Sequence, residues 1–266
     1  MRLTCLNAWG GRMHAELAEW LAQNDPDILC IQEVVHVPNT PAPWLDYRDD
    51  GRNLPQRADM LADLADALPE HDITFCPAAR GPLWHGQAQV WSQWGLATCT
   101  RRGLPVTHQA QGFVHGAFGA EGFGPHPRSR TGHALRLWRP GGAVVIAHMH
   151  GLRDPEAGKA DTPARAAQAE RLAGLVESIR QPGDEMIICG DFNVLPGSET
   201  LRILSRLAPR ELVTEGGHPG TRNSLYPKPG RYADYMMVSE TLAFTSFDVL
   251  HQPEVSDHCP LLLTLP

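Results

Sequence analysis

The sequence predicts an α+β fold, two packed sheets flanked by helices, in one domain spanning residues 1–266. Three observations predict it. Short apolar runs dominate, each closed by a turn former or a polar residue. A few stretches with helical spacing lie between them, so the layers must be mixed. No low-complexity linker or repeat divides the chain, and 266 residues suffice for one large core.

The elements follow in order. Leu3 to Leu6 reads as a strand ending at Asn7. Met13 to Gln23 carries Leu17, Trp20 and Leu21 at helical spacing, and Asp25-Pro26 stops it. Ile28 to Gln32 is a short strand that ends in Glu33, and positions 36 to 55, with Pro, Asn, Asp and Gly, read as a long loop. Arg57 to Leu68 is a helix closed by Pro69; Ile73 to Cys76 and Gln93 to Thr100 are strands. The Gly-, His- and Phe-rich segment 108–132 fits either strands around Gly112 and Gly116 or a cap over a pocket. Ala134 to Trp138 and Ala143 to Met149 pair across Pro140-Gly141-Gly142. Thr162-Pro163 opens a helix to Ile179, with Pro in its first turn. Met186 to Cys189 is a buried strand, Ser198 to Leu207 a helix, and Tyr232 to Val238 and Cys259 to Leu263 the last strands.

Composition narrows the function classes. Apolar content is 42% and no run approaches the roughly 20 apolar residues of a membrane span, so no transmembrane segment is expected. The N-terminus lacks a continuous apolar stretch and a cleavage site, which predicts a cytoplasmic protein. Cysteines 5, 30, 76, 99, 189 and 259 mostly sit in apolar runs without a CxxC pair, and read as buried thiols in a reducing compartment. Net charge is -7, from 30 acidic and 23 basic residues, which argues against a tight, sequence-independent nucleic-acid binder. The 13 His and 7 Trp suit a lined pocket.

Polar groups recur where strands end: Asn7, Glu33, His150, Asp191 with Asn193, Asp234, and Asp257 with His258. Each alone reads as a turn, a cap or a solvated end. Repeated delivery of carboxylate, amide and imidazole at strand ends points to one shared site.

The motifs carry a family resemblance. Leu3-Thr4-Cys5-Leu6-Asn7, Ile31-Gln32-Glu33, Trp94-Gly95-Leu96-Ala97-Thr98, Gly190-Asp191-Phe192-Asn193, Ala233-Asp234-Tyr235-Met236-Met237-Val238-Ser239 and Ser256-Asp257-His258 occur in that order. This series resembles the opening Asn strand, QE, glycine-led strand, GDFN, Asp-Tyr strand and closing SDH of the endonuclease/exonuclease/phosphatase superfamily, from Leu3 to Leu263. The resemblance implies a DNase I-like four-layer α/β sandwich of two mixed sheets. It implies a Mg²⁺-dependent phosphoesterase, with Mn²⁺ as an alternative ion, that hydrolyses a phosphodiester or phosphomonoester by in-line attack of water. Glu33 would bind the metal, with Asn7 and Asp257 beside it; His150, Asp191, Asn193, Asp234 and His258 would be catalytic. In Val144-Val145-Ile146-Ala147-His148-Met149-His150-Gly151 the family His aligns with His150 or, in a second register, with His148; His150 stands before the Gly turn and is favoured. Trp9 occupies the place where some family nucleases carry an Asp.

The expected substrate is a phosphorylated small molecule, a lipid headgroup or a nucleic acid, turned over by a monomer. A nuclease is one alternative, a non-catalytic binding module on the same scaffold another. Lys228 and Arg231 are candidate phosphate contacts, Arg165 a candidate brace, and Trp84, Trp91 and Trp94 candidate stacking residues against a core-packing alternative.

Overall fold

A computed structural model describes residues 1–49 and 51–266. An eight-stranded sheet contains β1 (Arg2–Asn7), β2 (Ile28–His36), β3 (Trp44–Asp49), β4 (Arg52–Arg57), β5 (His71–His85), β6 (Ala88–Arg101), β13 (Ser246–Val249) and β14 (Leu261–Thr264), in the order β13-β14-β1-β2-β6-β5-β3-β4. A six-stranded sheet contains β7 (Val106–His115), β8 (Arg130–Arg139), β9 (Gly142–Met149), β10 (Glu185–Asp191), β11 (Arg210–Glu211) and β12 (Asp234–Val238), in the order β11-β12-β10-β9-β8-β7. The pairs β1–β2 and β9–β10 are parallel and the remaining neighbours antiparallel, so both sheets are mixed.

Both parallel pairs need a crossover, and each contains a helix. Helix α1 (His14–Asn24) joins β1 to β2 and packs with α2 (Met60–Ala67) on the outer face of the first sheet through Leu17, Trp20, Leu21, Met60 and Leu64. Helix α3 (Pro163–Ile179) joins β9 to β10 and covers the second sheet with α4 (Glu199–Leu204), burying Leu172, Val176, Leu201 and Leu204. Thr162 caps α3 by accepting from the Arg165 N–H at 3.2 Å. The inner faces meet through Leu3, Cys5, Ile28 and Cys30 on one side and Val144, Ile146, Ile187 and Cys189 on the other. Helices, sheet, sheet, helices make four layers; burying one such Ile or Leu contributes about 1.5–3 kcal/mol. All six cysteines are buried free thiols. Among the described residues, no helix is long and apolar enough to cross a membrane.

Several sequence expectations change. Positions 36 to 55 are not one long loop: β3 and most of β4 lie there as a hairpin, while Asp50 lies outside the described residues. Charged residues alternate along Trp44-Leu45-Asp46-Tyr47-Arg48-Asp49, so the edge hairpin lacks the apolar run that marked the other strands. Strands β5 and β6 run well past Ile73–Cys76 and Gln93–Thr100, and β2 continues through Glu33 to His36. The segment 108–132 does both things considered for it. Its first part forms β7, and Phe123, His126, Arg128 and Ser129 line a cleft.

Candidate active site

Topology gathers the site. Parallel pairing puts the C-terminal ends of β1 and β2 together, and likewise those of β9 and β10. These ends bring Asn7, Glu33, His150 and Asp191. Strand β12 runs antiparallel to β10 with Asp234 opposite Asp191, so Asp234 enters at the same end. Strand β14 runs antiparallel to β1 and pairs Leu261 with Cys5, so Asp257 and His258 fall just beyond Asn7.

Local backbone aims two of these residues. Glu33 sits at a bulge between Gln32 and Val34 with φ 58°, which takes it out of the pleat's alternation. Asn193 also has positive φ (53°), and its N–H donates to Asp191 Oδ1 at 3.0 Å. Positive φ is costly for a side-chain-bearing residue and concentrates at sites that need a fixed direction.

The groups converge. Asn7 Nδ2 donates to Asp191 Oδ2 at 2.9 Å and to Glu33 Oε1 at 3.2 Å. His150 Nε2 lies 3.6 Å from Asp191 Oδ2 and 3.9 Å from Glu33 Oε1. His258 Nε2 lies 3.7 Å from Asp191 Oδ2 and 3.8 Å from Asp257 Oδ1. Behind it, His258 Nδ1 meets Asp234 Oδ2 at 2.8 Å, and Thr221 Oγ1 donates to the same oxygen at 2.8 Å. Arg222 Nη1 donates to Asp257 Oδ2 at 2.7 Å. Glu33, His150, Asp191, Asn193, Asp257 and His258 line one cleft of about 760 Å³, a size that holds a small-molecule group as well as a phosphate. Asn7 and Asp234 stand behind that lining.

Burial and like charge set the electrostatics. Desolvation, then Asp257 and Asp191, pushes the Glu33 carboxyl up to about 7. Burial lifts Asp234 to about 6 and lowers His258 to about 3. His150 is held well below the ordinary imidazole range by burial, then by Arg130 and His258. Both site imidazoles are therefore neutral at pH 7.

The donor set fits a hard divalent cation. Three carboxylates crowd one cleft end, and Asp257 Oδ1 is buried without a hydrogen-bond partner among the described residues. Asp191, Asp234 and His258 also bring ligand atoms within 4.8 Å of one another. In that trio, however, Asp234 and His258 Nδ1 are already engaged with each other. Glu33, Asp191 and Asp257 therefore offer the freer oxygens. Asn7 does not present its amide oxygen: Oδ1 accepts from the Trp9 N–H at 2.9 Å, and the nitrogen faces the carboxylates. This geometry supports Asn7 as a brace more than as a ligand.

Other candidates separate. His148 does not line the cleft; it lies between the sheets, 2.8 Å from Thr98 Oγ1 through Nε2 and 3.2 Å from Gln32 Nε2 through Nδ1. Of the three tryptophans only Trp94 lines the cleft, against the His150 ring at 5.4 Å between centroids. Trp91 is exposed and Trp84 lies under Arg48. Lys228 lines the cleft, while Arg231 is spent on the carbonyls of Asn223 and Tyr226. Arg165 donates to the carbonyls of Leu152, Gly158 and Ala160, and so braces the loop after His150.

Sequence reasoning missed Arg130. It is 3% exposed, lines the cleft beside Trp94, and has no carboxylate partner among the described residues; Nε and Nη1 bond the carbonyls of Gly151 and Ser129. Burial holds it down to about 10, still charged at pH 7. The signal was its place at the start of β8, inside a segment that could not be resolved into elements.

Two mixed sheets packed between helices, with carboxylates and imidazoles gathered where their strands end, define an α/β sandwich with a candidate divalent-metal centre. The sequence pattern of the Endonuclease/Exonuclease/phosphatase family matches residues 5–258, and the chain belongs to that family. Similar solved structures include an endonuclease/exonuclease/phosphatase family protein from Leptotrichia buccalis, with TM-score 0.67 and 14% identity over 100% of this chain and 99% of that one. A mannosyl-6-phosphatase of Bacteroides thetaiotaomicron matches with TM-score 0.66 and 15% identity, over 100% and 99%. The human Nocturnin catalytic domain, with a bound sulfate anion, matches with TM-score 0.66 and 20% identity, over 100% and 93%. At these identities the likeness carries the fold. A search of curated proteins gives no match.

Proposed function

We propose that the chain is a divalent-metal-dependent phosphoesterase, hydrolysing a phosphodiester or phosphomonoester by in-line attack of water. The observation that carries this reading is Asp191, held by the Asn7 amide and flanked by His150 and His258 at 3.6 and 3.7 Å, beside Glu33 and Asp257 in one cleft.

Glu33 and Asp257 would hold Mg²⁺, or Mn²⁺ in its place. When bound, the ion supplies charge neutralisation at a non-bridging phosphoryl oxygen and at the leaving oxygen. Asp191 orients the attacking water, since its own position is fixed by Asn7 and by the Asn193 N–H. His258 is neutral, and its Nδ1 proton is committed to Asp234, so Nε2 is free to accept the water proton. The new P–O bond forms as the ester P–O bond breaks, and the departing alkoxide takes a proton from solvent. Arg130, His150 and Asn193 face the phosphoryl oxygens as donors; an aligned donor of this kind is worth roughly 10²–10³ in rate.

The substrate is a phosphorylated small molecule, a lipid headgroup or a nucleic acid. Arg130, Arg153, Lys159, Arg222 and Lys228 make the cleft locally basic despite the net charge of -7. The working unit is proposed as a cytoplasmic monomer, in keeping with the six free thiols. A panel of phosphoesters with Mg²⁺, Mn²⁺ and EDTA tests the reading. It expects EDTA-sensitive turnover of at least one substrate; no turnover with any ion contradicts it.

A further inference from the structure

The cleft extends away from the carboxylates along the β3–β4 hairpin and the loop before β8. Tyr47, Leu54, Leu83, Phe123 and His126 line this arm, beyond Trp94. The Tyr47 and Phe123 rings stand 5.8 Å apart at 58°, and both residues are half-buried in the lining of the cleft. None of these residues has a role in the hydrolysis described above.

The two rings are fixed from behind. Arg128 lies over both, 5.5 Å from the Tyr47 centroid and 5.6 Å from that of Phe123. Each of its three guanidinium nitrogens donates to the protein. Nε donates to the Gly124 carbonyl at 3.0 Å, Nη1 to the Tyr47 hydroxyl, and Nη2 to Asp49 Oδ2 at 2.9 Å. Arg128 therefore acts as a staple between hairpin and loop. The loop is also tied to β5, with Arg80 donating to the Gly119 carbonyl at 2.6 Å and Gly122 donating back at 3.0 Å. Phe123 rests directly on the backbone of Gly81, where a Cβ would come within 2.7 Å of the ring. Such a wall loses little entropy when a ligand stacks on it.

Resting on the phosphoesterase reading, we propose that this arm is a subsite for a planar ring in the group esterified to the scissile phosphate. The arm and the reaction centre are one cleft, so a phosphoester seated against Asp191 can place its remainder along this arm. Two aromatic rings suit a flat ring, and Gln56 and His126, which line the same cleft, suit ring heteroatoms. An acyl chain would leave those polar groups unmatched. The chemistry is shared by a nucleobase and by a simple aryl group.

The test is binding to the Asp191→Asn protein with Mg²⁺, measured by calorimetry for ribose 5-phosphate, adenosine monophosphate, p-nitrophenyl phosphate and a lysophosphatidic acid. A ring-bearing probe should bind about tenfold tighter than ribose 5-phosphate, the order expected for one stacked ring. Tyr47→Leu and Phe123→Leu should each shrink that ratio below about threefold and leave ribose 5-phosphate unchanged. Gly81→Ala, which displaces the Phe123 ring without removing it, should shrink it too. The tighter of the two ring-bearing probes identifies nucleobase or aryl. Ribose 5-phosphate binding as well as the ring-bearing probes, or the lysophosphatidic acid binding tightest, would overturn the subsite alone. Equal weakening of every probe by the ring variants would overturn it as well. No binding of any probe would overturn the phosphoesterase reading with it.

Discussion

His258 Nδ1 stands 2.8 Å from Asp234 Oδ2, and the same oxygen accepts from Thr221 Oγ1. Both side chains are buried, so the pair is protected from competing water. The carboxylate fixes the tautomer that leaves His258 Nε2 bare and aimed at Asp191 and Asp257.

Asp234→Asn keeps the shape of this pair and removes its charge. The Asn amide would accept or donate with equal ease, and the tautomer would no longer be fixed. We expect kcat to fall by roughly 10²–10⁴ with little change in KM and a retained circular-dichroism spectrum. His258→Ala should cost at least as much. A kcat within threefold of wild type in either variant would remove His258 from the mechanism.

Glu33 reports on the cation. Without an ion, burial first and then repulsion from Asp257 and Asp191 push its carboxyl up to about 7. Glu33→Gln relieves that repulsion, so the metal-free variant should melt a few degrees above metal-free wild type. Mg²⁺ should raise the melting temperature of wild type and leave the variant almost unmoved. Equal Mg²⁺ responses in the two proteins would take Glu33 out of the metal centre.

Gly151 holds two strand ends together. Its N–H donates to the Asp191 carbonyl at 2.6 Å, and a Cβ there would come within 2.1 Å of the Phe192 carbonyl oxygen. Gly151→Ala must part the His150 end from the Asp191 end. We expect about 1–3 kcal/mol of destabilisation in urea and a fall in kcat larger than any rise in KM. Unchanged stability and turnover would show that this close approach is not needed.

Acid stability tests the buried network between the sheets. Thr98 Oγ1 lies 2.7 Å from His133 Nδ1 and 2.8 Å from His148 Nε2, and by donating to one ring and accepting from the other the hydroxyl pairs with two neutral imidazoles. Burial holds His133 down to about 4 and His148 well below its ordinary value. The unfolded chain takes up these protons below pH of about 6.5, while the folded one resists, in the case of His133 until about 4. Stability should therefore fall with pH across that window, by up to about 1.4 kcal/mol per pH unit for each ring. His133→Gln removes one ring, and its stability-pH curve should be shallower than wild type by about that amount. Parallel curves would contradict the assignment.

The layers and the two ends named by GDFN and SDH were legible because buried strands leave unbroken apolar runs, such as Met186-Ile187-Ile188-Cys189, that stop at polar residues. The helix from Pro163 to Ile179 was legible to its ends, because Thr162 and Pro163 carry their own stereochemical signal. The β3–β4 hairpin was not, since an exposed edge carries charge where a core strand carries Val or Ile. Arg130 was hidden for another reason. Its importance lies in standing at the cleft with no carboxylate partner among the described residues, and that is a property of neighbours distant in sequence. The same holds for His148, since β9 carries His148 into the inter-sheet core and ends just before His150, and only the packed sheets show which ring has a cleft in front of it.

The most direct test of the central claim is hydrolysis of a phosphoester panel by wild type and Asp191→Asn, each with Mg²⁺, Mn²⁺ and EDTA. The panel comprises plasmid and single-stranded DNA, bis-p-nitrophenyl phosphate, inositol phosphates and sphingomyelin. The account predicts turnover of at least one member by wild type, lost in EDTA and reduced at least about 100-fold in Asp191→Asn. Turnover that survives EDTA, an Asp191→Asn rate equal to wild type, or no turnover of any member with either ion would contradict it.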